Sequence, residues 1–118
     1  MFEKHLGRTK SLLDEVSTEI QARGGACVPI QVDHSNDAEV EALFKRIEKD
    51  ENGKLDVLVN NAYAAVGTIF ESIGKPFWTL DPINQWDTVN NVGLRNHYLC
   101  TVYASRYSEL FQQNYLLY

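Results

Sequence analysis

The chain has 118 residues, 44% apolar and 23% charged, which fits one globular domain and excludes a fibrous or low-complexity protein. A net charge of −5 argues against nucleic acid as a partner, and no apolar run reaches the about 18 residues of a membrane span. Met1 to His5 carries no apolar signal-peptide core, and Cys27 and Cys100 share no metal-type spacing, so they read as reduced, mostly buried thiols of an intracellular, cytoplasmic protein.

Residues 8 to 23 predict a helix with Leu12, Leu13, Val16 and Ile20 on one face, stopped by Gly24-Gly25. Ala26 to Val32 predicts a strand, in which Pro29 favours an edge. Asn36 to Lys49 predicts a helix, with Asn36 and Glu39 as a capping box and Val40, Leu43, Phe44 and Ile47 as its apolar stripe. Asn52-Gly53 makes the next turn. Residues 55 to 61 predict a second strand: the apolar run Val57 to Val59 ends in Asn60-Asn61-Ala62. That pattern reads as a buried strand delivering polar groups at its C-terminal end, where ligands sit in open α/β sheets. Residues 62 to 80 form a long loop. Asp81-Pro82 supplies a cap and first turn for a helix over 82 to 108 that carries Ile83, Trp86, Val89, Leu99 and Val102. The tail Phe111 to Tyr118 is apolar and aromatic without pattern.

Helix, strand, helix, strand, helix implies crossover connections and an α/β fold with a parallel sheet. Two complete strands with three helices are fewer than such sheets use. The expected fold is therefore an incomplete Rossmann-type doubly wound parallel sheet, a piece of a larger domain.

Three segments carry a resemblance. Asp56 to Ala64 is similar to an Asn-Asn-Ala-Gly segment with Tyr63 in place of the glycine. Val32-Asp33-His34-Ser35 is similar to an acidic segment after a third strand. Trp86-Asp87 with Val92-Gly93-Leu94-Arg95 is similar to the start and middle of a long interface helix. In this order and spacing they resemble the short-chain dehydrogenase/reductase family, and within it a dehydrogenase/reductase member 1-like branch, from about Gly7 to Tyr103.

The resemblance implies a single partial NAD(P)-binding Rossmann domain over residues 1 to 118. It implies that Asp33 accepts from the adenine edge with the His34 backbone close by, or else caps the following helix. Asn61 lies beside the cofactor ribose and Asn60 braces the strand end next to Ala62, or else both amides form a structural network. Arg8 after Gly7 reads the adenosine 2′-phosphate, favouring NADP over NAD, or else is an ordinary solvated arginine.

Three departures stand against catalysis by this chain. The seven glycines contain no Gly-x-x-x-Gly-x-Gly turn to cradle a pyrophosphate. A Tyr-x-x-x-Lys pair is impossible, because the last lysine is Lys75 and the one tyrosine before it, Tyr63, is followed four residues later by Gly67. Gly93 falls where the family carries a catalytic asparagine, while Asn90 and Asn91 face elsewhere by helical phase. His5, His34 and His97 are too scattered to suggest a metal site. Asp14-Glu15 and Glu48 to Glu51 read as solvated faces, and Tyr103 and Tyr107 as helix packing.

Three functions follow as expectations. The first is a fragment of an NAD(P)-dependent reductase, whose full protein transfers hydride between nicotinamide and a small carbonyl or alcohol; this chain alone is inactive and binds NADP or NAD weakly or not at all. The second is a non-catalytic module that pairs with a full-length subunit, as a homo- or hetero-oligomer, through residues 82 to 108. The third is a truncated product without function. By resemblance, the endoplasmic reticulum surface is an alternative location.

Overall fold

The computed structural model describes residues 10–107. The predicted helices come first. Helix α1 spans Lys10–Ala22 and ends where Gly24 takes a positive φ of 86° and the Gly25 N–H reaches back to the Ile20 carbonyl at 3.0 Å. Helix α2 spans Asp37–Asp50. The Asn36 side chain accepts from the Ala38 N–H at 3.1 Å, as an N-cap should. Glu39 departs from a reciprocal box: its carboxylate accepts from the Asn36 amide at 3.0 Å and from the Asp33 N–H at 2.8 Å. The α2 end is closed by Asn52 at φ 53° and by a Gly53 N–H bond to the Glu48 carbonyl at 2.8 Å.

The expected parallel sheet is not there. Among the described residues, neither 26–32 nor 55–61 forms a strand, and no backbone hydrogen bond joins the two segments. The physical reason is pairing. A strand exists through its ladder, and in the doubly wound order 3-2-1-4-5-6 a third strand is separated by two others from the strand that follows it in sequence. The two segments instead flank a common cavity. The run expected to be buried is therefore open: Val57 is 74% exposed and Val59 78%.

Residues 62 to 80 are not a plain loop. They hold a short helix α3, Val66–Ser72, and a 3₁₀ turn at Phe77–Thr79. The long helix expected over 82 to 108 is two helices. Helix α4 spans Pro82–Asn90, with the Asp81 carboxylate accepting from the Asn84 N–H at 2.7 Å and Pro82 in its first turn. Helix α5 spans Asn96–Ser105. Between them the backbone leaves helical geometry at Val92 (φ −114°, ψ 94°) and Gly93 (φ 145°, ψ −24°). Only glycine takes the second of these without strain.

The core lies where α2 crosses α5. Val40, Phe44, Cys100 and Ala104 are buried together, with Val32, Ile47, Leu55, Tyr103 and Tyr107 packed around them. Phe44 meets the Tyr103 ring at 5.5 Å between centroids. The α2 stripe is as expected. The buried face of α5 is not: it is the small-residue row Asn96, Cys100 and Ala104, whereas Leu99 and Val102 are only half-buried. An ion pair ties the same helices at their ends, since both terminal guanidinium nitrogens of Arg95 donate to the Asp37 carboxylate, one of them at 2.6 Å. This fork holds the Asp37 carboxyl below the usual carboxylate range.

Candidate functional site

The segments 30–34 and 57–62, with α1, α2 and α5, line an open cavity of about 500 Å³. His34, Asn60, Asn61, Ala62, His97 and Cys100 are among its lining residues. Of the residues singled out from the sequence, His34, Asn60, Asn61 and Ala62 are thus brought together across about 25 positions of chain. Asp33 is adjacent but does not line the cavity. Its carboxylate folds onto its own turn, accepting from the Ser35 N–H at 2.9 Å and the Ser35 hydroxyl at 2.7 Å. Asp33 is therefore not the cap of α2; Asn36 is. Arg8 and His5 lie outside the described residues.

Asn60 and Asn61 are exposed, in contrast to the buried amides expected at a strand end. Asn60 donates to the Thr101 hydroxyl at 3.0 Å, which fastens the end of the 55–61 segment to α5. Thr101 in turn donates to the His97 carbonyl one helical turn back, at 2.8 Å.

His34 is half-buried. Burial pushes its ring below the ordinary histidine range, the neighbouring His97 pushes the same way, and Asp33 partly opposes them. His97 is also a lining residue, and its Nε2 is fully buried with no hydrogen-bond partner among the described residues. The cavity is lined mainly by apolar groups with a few polar ones, the general character of a small-molecule site. Cys100 is not a reactive group here, because burial raises its thiol above the usual range.

Asn96 is the residue that sequence reading missed. It is 1% exposed, and its side chain touches two parts of the site. Its Oδ1 accepts from the Gly93 N–H at 2.6 Å, and its Nδ2 lies 3.5 Å from His34 Nδ1. The signal was available: Asn96, Cys100 and Ala104 recur every four residues, a small-residue row on one helix face.

A second cleft, of about 720 Å³, lies over the α4–α5 junction and is lined by Trp86, Asn90, Leu94, Arg95 and Tyr98. No helix among the described residues is long and apolar enough to cross a membrane.

The sequence profile of short chain dehydrogenases matches residues 4–113. The human dehydrogenase/reductase SDR family member 1 is 49% identical over 100 residues, which is 85% of this chain and 32% of that protein. Its mouse counterpart is 48% identical over the same shares. A 3-oxoacyl-[acyl-carrier-protein] reductase of Synechocystis is 29% identical over 84% of this chain and 36% of its own length. The chain spans about a third of the length of these curated relatives. The chain belongs to the short-chain dehydrogenase family.

Proposed function

We propose that residues 1 to 118 are a single partial NAD(P)-binding domain that supplies the adenosine side of the cofactor site of a reductase. Family membership supports oxidoreductase chemistry with a nicotinamide dinucleotide and a small-molecule substrate. The carrying observation is that His34, Asn60, Asn61 and Ala62 line one cavity although they come from two separate segments.

In this reading Asp33 and His34 hold the adenine edge, Asn61 and Ala62 lie along the ribose, Asn60 keeps that segment on α5 through Thr101, and Arg8 takes the 2′-phosphate of NADP. The cofactor, when bound, supplies the hydride. The substrate of the whole protein is a carbonyl or alcohol. This chain has neither the glycine turn for the pyrophosphate nor the Tyr-x-x-x-Lys pair for proton transfer. Losing the acid alone removes about 10²- to 10⁴-fold in rate.

The test is calorimetric and kinetic. The isolated chain should reduce no aldehyde or ketone with NADPH or NADH. It should bind neither cofactor more tightly than roughly millimolar, about −4 kcal/mol. Turnover above background, or a micromolar constant lost in Asp33→Ala, contradicts the proposal.

A second reading has its own observation. Trp86, Leu94 and Tyr98 stand exposed around the α4–α5 cleft. We infer from this apolar rim a non-catalytic role, in which residues 82 to 108 pair with a full-length reductase subunit or a second copy. Sedimentation of the chain mixed with a full-length family member separates the two readings: a stoichiometric heterocomplex supports pairing, and independent sedimentation removes it.

A further inference from the structure

Two unusual features of this sequence, Tyr63 after Asn-Asn-Ala and Gly93 inside an otherwise helical stretch, lie 30 positions apart and touch in space. A Cβ built on Gly93 would stand 2.5 Å from Tyr63 Cδ2 and 2.9 Å from Cε2. Real side chains do not approach so closely, so the Tyr63 ring occupies the volume that any side chain at 93 requires. The contact is held by backbone, since the Ala64 N–H donates to the Val92 carbonyl at 3.1 Å. The Gly93 N–H, turned out of the helix by its φ of 145°, is taken by the buried Asn96 carboxamide at 2.6 Å.

That last bond fixes the orientation of the amide. With Oδ1 committed to the Gly93 N–H, the Nδ2 group is the one that faces His34, 3.5 Å from its Nδ1. An amide nitrogen only donates, so His34 Nδ1 accepts. A neutral His34 must then carry its proton on Nε2. In this tautomer the free N–H of a residue that lines the cavity is on Nε2, a donor complementary to an unprotonated ring nitrogen such as a purine presents.

We propose that Tyr63, Gly93 and Asn96 form one coupled positioning unit. Tyr63 covers the bare backbone at 93, the freed Gly93 N–H orients the Asn96 carboxamide, and Asn96 fixes the tautomer of His34 toward the adenosine-side cavity. The unit rests on the adenosine-side reading of the cavity for its purpose, but its geometry is measurable without any cofactor. Asn96 is a positioning residue: it acts on a ligand only through His34.

The test uses the whole 118-residue chain and nuclear magnetic resonance. The His34 ring nitrogens should show the Nε2–H tautomer, and Asn96→Ala should move both ring shifts toward the tautomer-averaged values. In the same variant the ring should titrate at higher pH, as the buried donor is lost and water enters. Exchange of the Gly93 amide should accelerate about tenfold in Asn96→Ala, while amides in the middle of α2 hold their rates. Gly93→Asn should accelerate exchange at Ala64 more when Tyr63 is present than in a Tyr63→Gly background. Backbone strain at 93 is common to both backgrounds and cancels in this cycle.

Equal effects of Gly93→Asn in both backgrounds overturn the coupling. Unchanged His34 shifts in Asn96→Ala overturn the link to the cavity. If Gly93→Asn fails to fold in either background, Tyr63→Gly alone still decides the coupling: unaltered exchange at both Ala64 and Gly93 overturns it. A failure here leaves the cofactor titration above untouched, and a failure there leaves this geometry untouched.

Discussion

Helices α2 and α5 and the stretch from Val57 to Trp86 use similar apolar residues to opposite effect. In the first region Val40, Phe44, Cys100 and Ala104 exclude water from one another. In the second, Phe70, Ile73, Phe77, Trp78, Ile83 and Trp86 stand mostly in solvent, with Phe77 at 81% exposure. Helix propensity does not separate them, since α3 and α4 form as well. What differs is the presence of a facing element. Helix α2 finds α5 at its stripe; α3 holds no buried residue, and the Phe77 and Trp78 rings meet edge to face at 5.6 Å beside an open cleft against α4. Hydrophobicity in the sequence states what must be covered, not what covers it.

The largest effect is expected on the packed side. Phe44→Ala should cost about 3–5 kcal/mol and abolish most helical signal on denaturant titration, because that ring fills the space between α2 and α5. Trp78→Ala, removing a larger ring, should change stability by less than about 0.5 kcal/mol. Equal losses would show that the 77–86 face is covered after all.

Next comes association. The exposed rings should draw chains together at micromolar concentration, giving a sedimentation coefficient that rises with loading and a broad thermal transition. The double change Phe77→Ser and Trp78→Ser should return the chain toward monomer. A monodisperse monomer with a sharp transition in the unmodified chain would break the contrast outright.

Acid is expected to weaken the site before the core. The folded His34 pKa is lowered by burial, so the unfolded chain binds its proton first. Stability contributed by neutral His34 is present above the ordinary histidine value of about 6.5 and is lost as pH falls from there toward the lowered value. His34→Gln should flatten this slope in pH-dependent unfolding; an unchanged slope would assign it elsewhere.

The smallest effect belongs to Arg95→Ala. Its fork with Asp37 is solvent-exposed at both ends, and the depressed Asp37 pKa adds stability only above the unfolded carboxylate value, fading as pH drops through the folded one. The loss should be slight at low salt and vanish near 1 M salt, where screening falls to about 3 Å. A loss that persists in high salt would mean that Arg95 packs rather than pairs.

Local signals in the sequence were read well because their causes are local. Gly24-Gly25, Asn36, Asn52-Gly53 and Asp81-Pro82 close or open helices by bonds within a few residues. The 3.6-residue stripe of α2 told which face is buried. The absence of a sheet is not legible in the sequence because a strand depends on partners far along the chain. The break of the long helix at Gly93 escapes the sequence for a similar reason: Tyr63, 30 residues away, fills the space beside it. In the site, the Asn60-Asn61-Ala62 segment was conspicuous as polar residues after an apolar run, while Asn96 looked like any other polar residue in a helix until its burial was known.

The buried thiol of Cys100 has a practical consequence. It lies in the seam between α2 and α5, with its ionisation suppressed, whereas Cys27 sits half-open near the end of α1. An alkylating reagent should therefore mark the two cysteines in sequence: the first mark counts molecules, and the second times how often the seam parts. The chain carries its own clock for the opening of its core, and no probe has to be engineered into it.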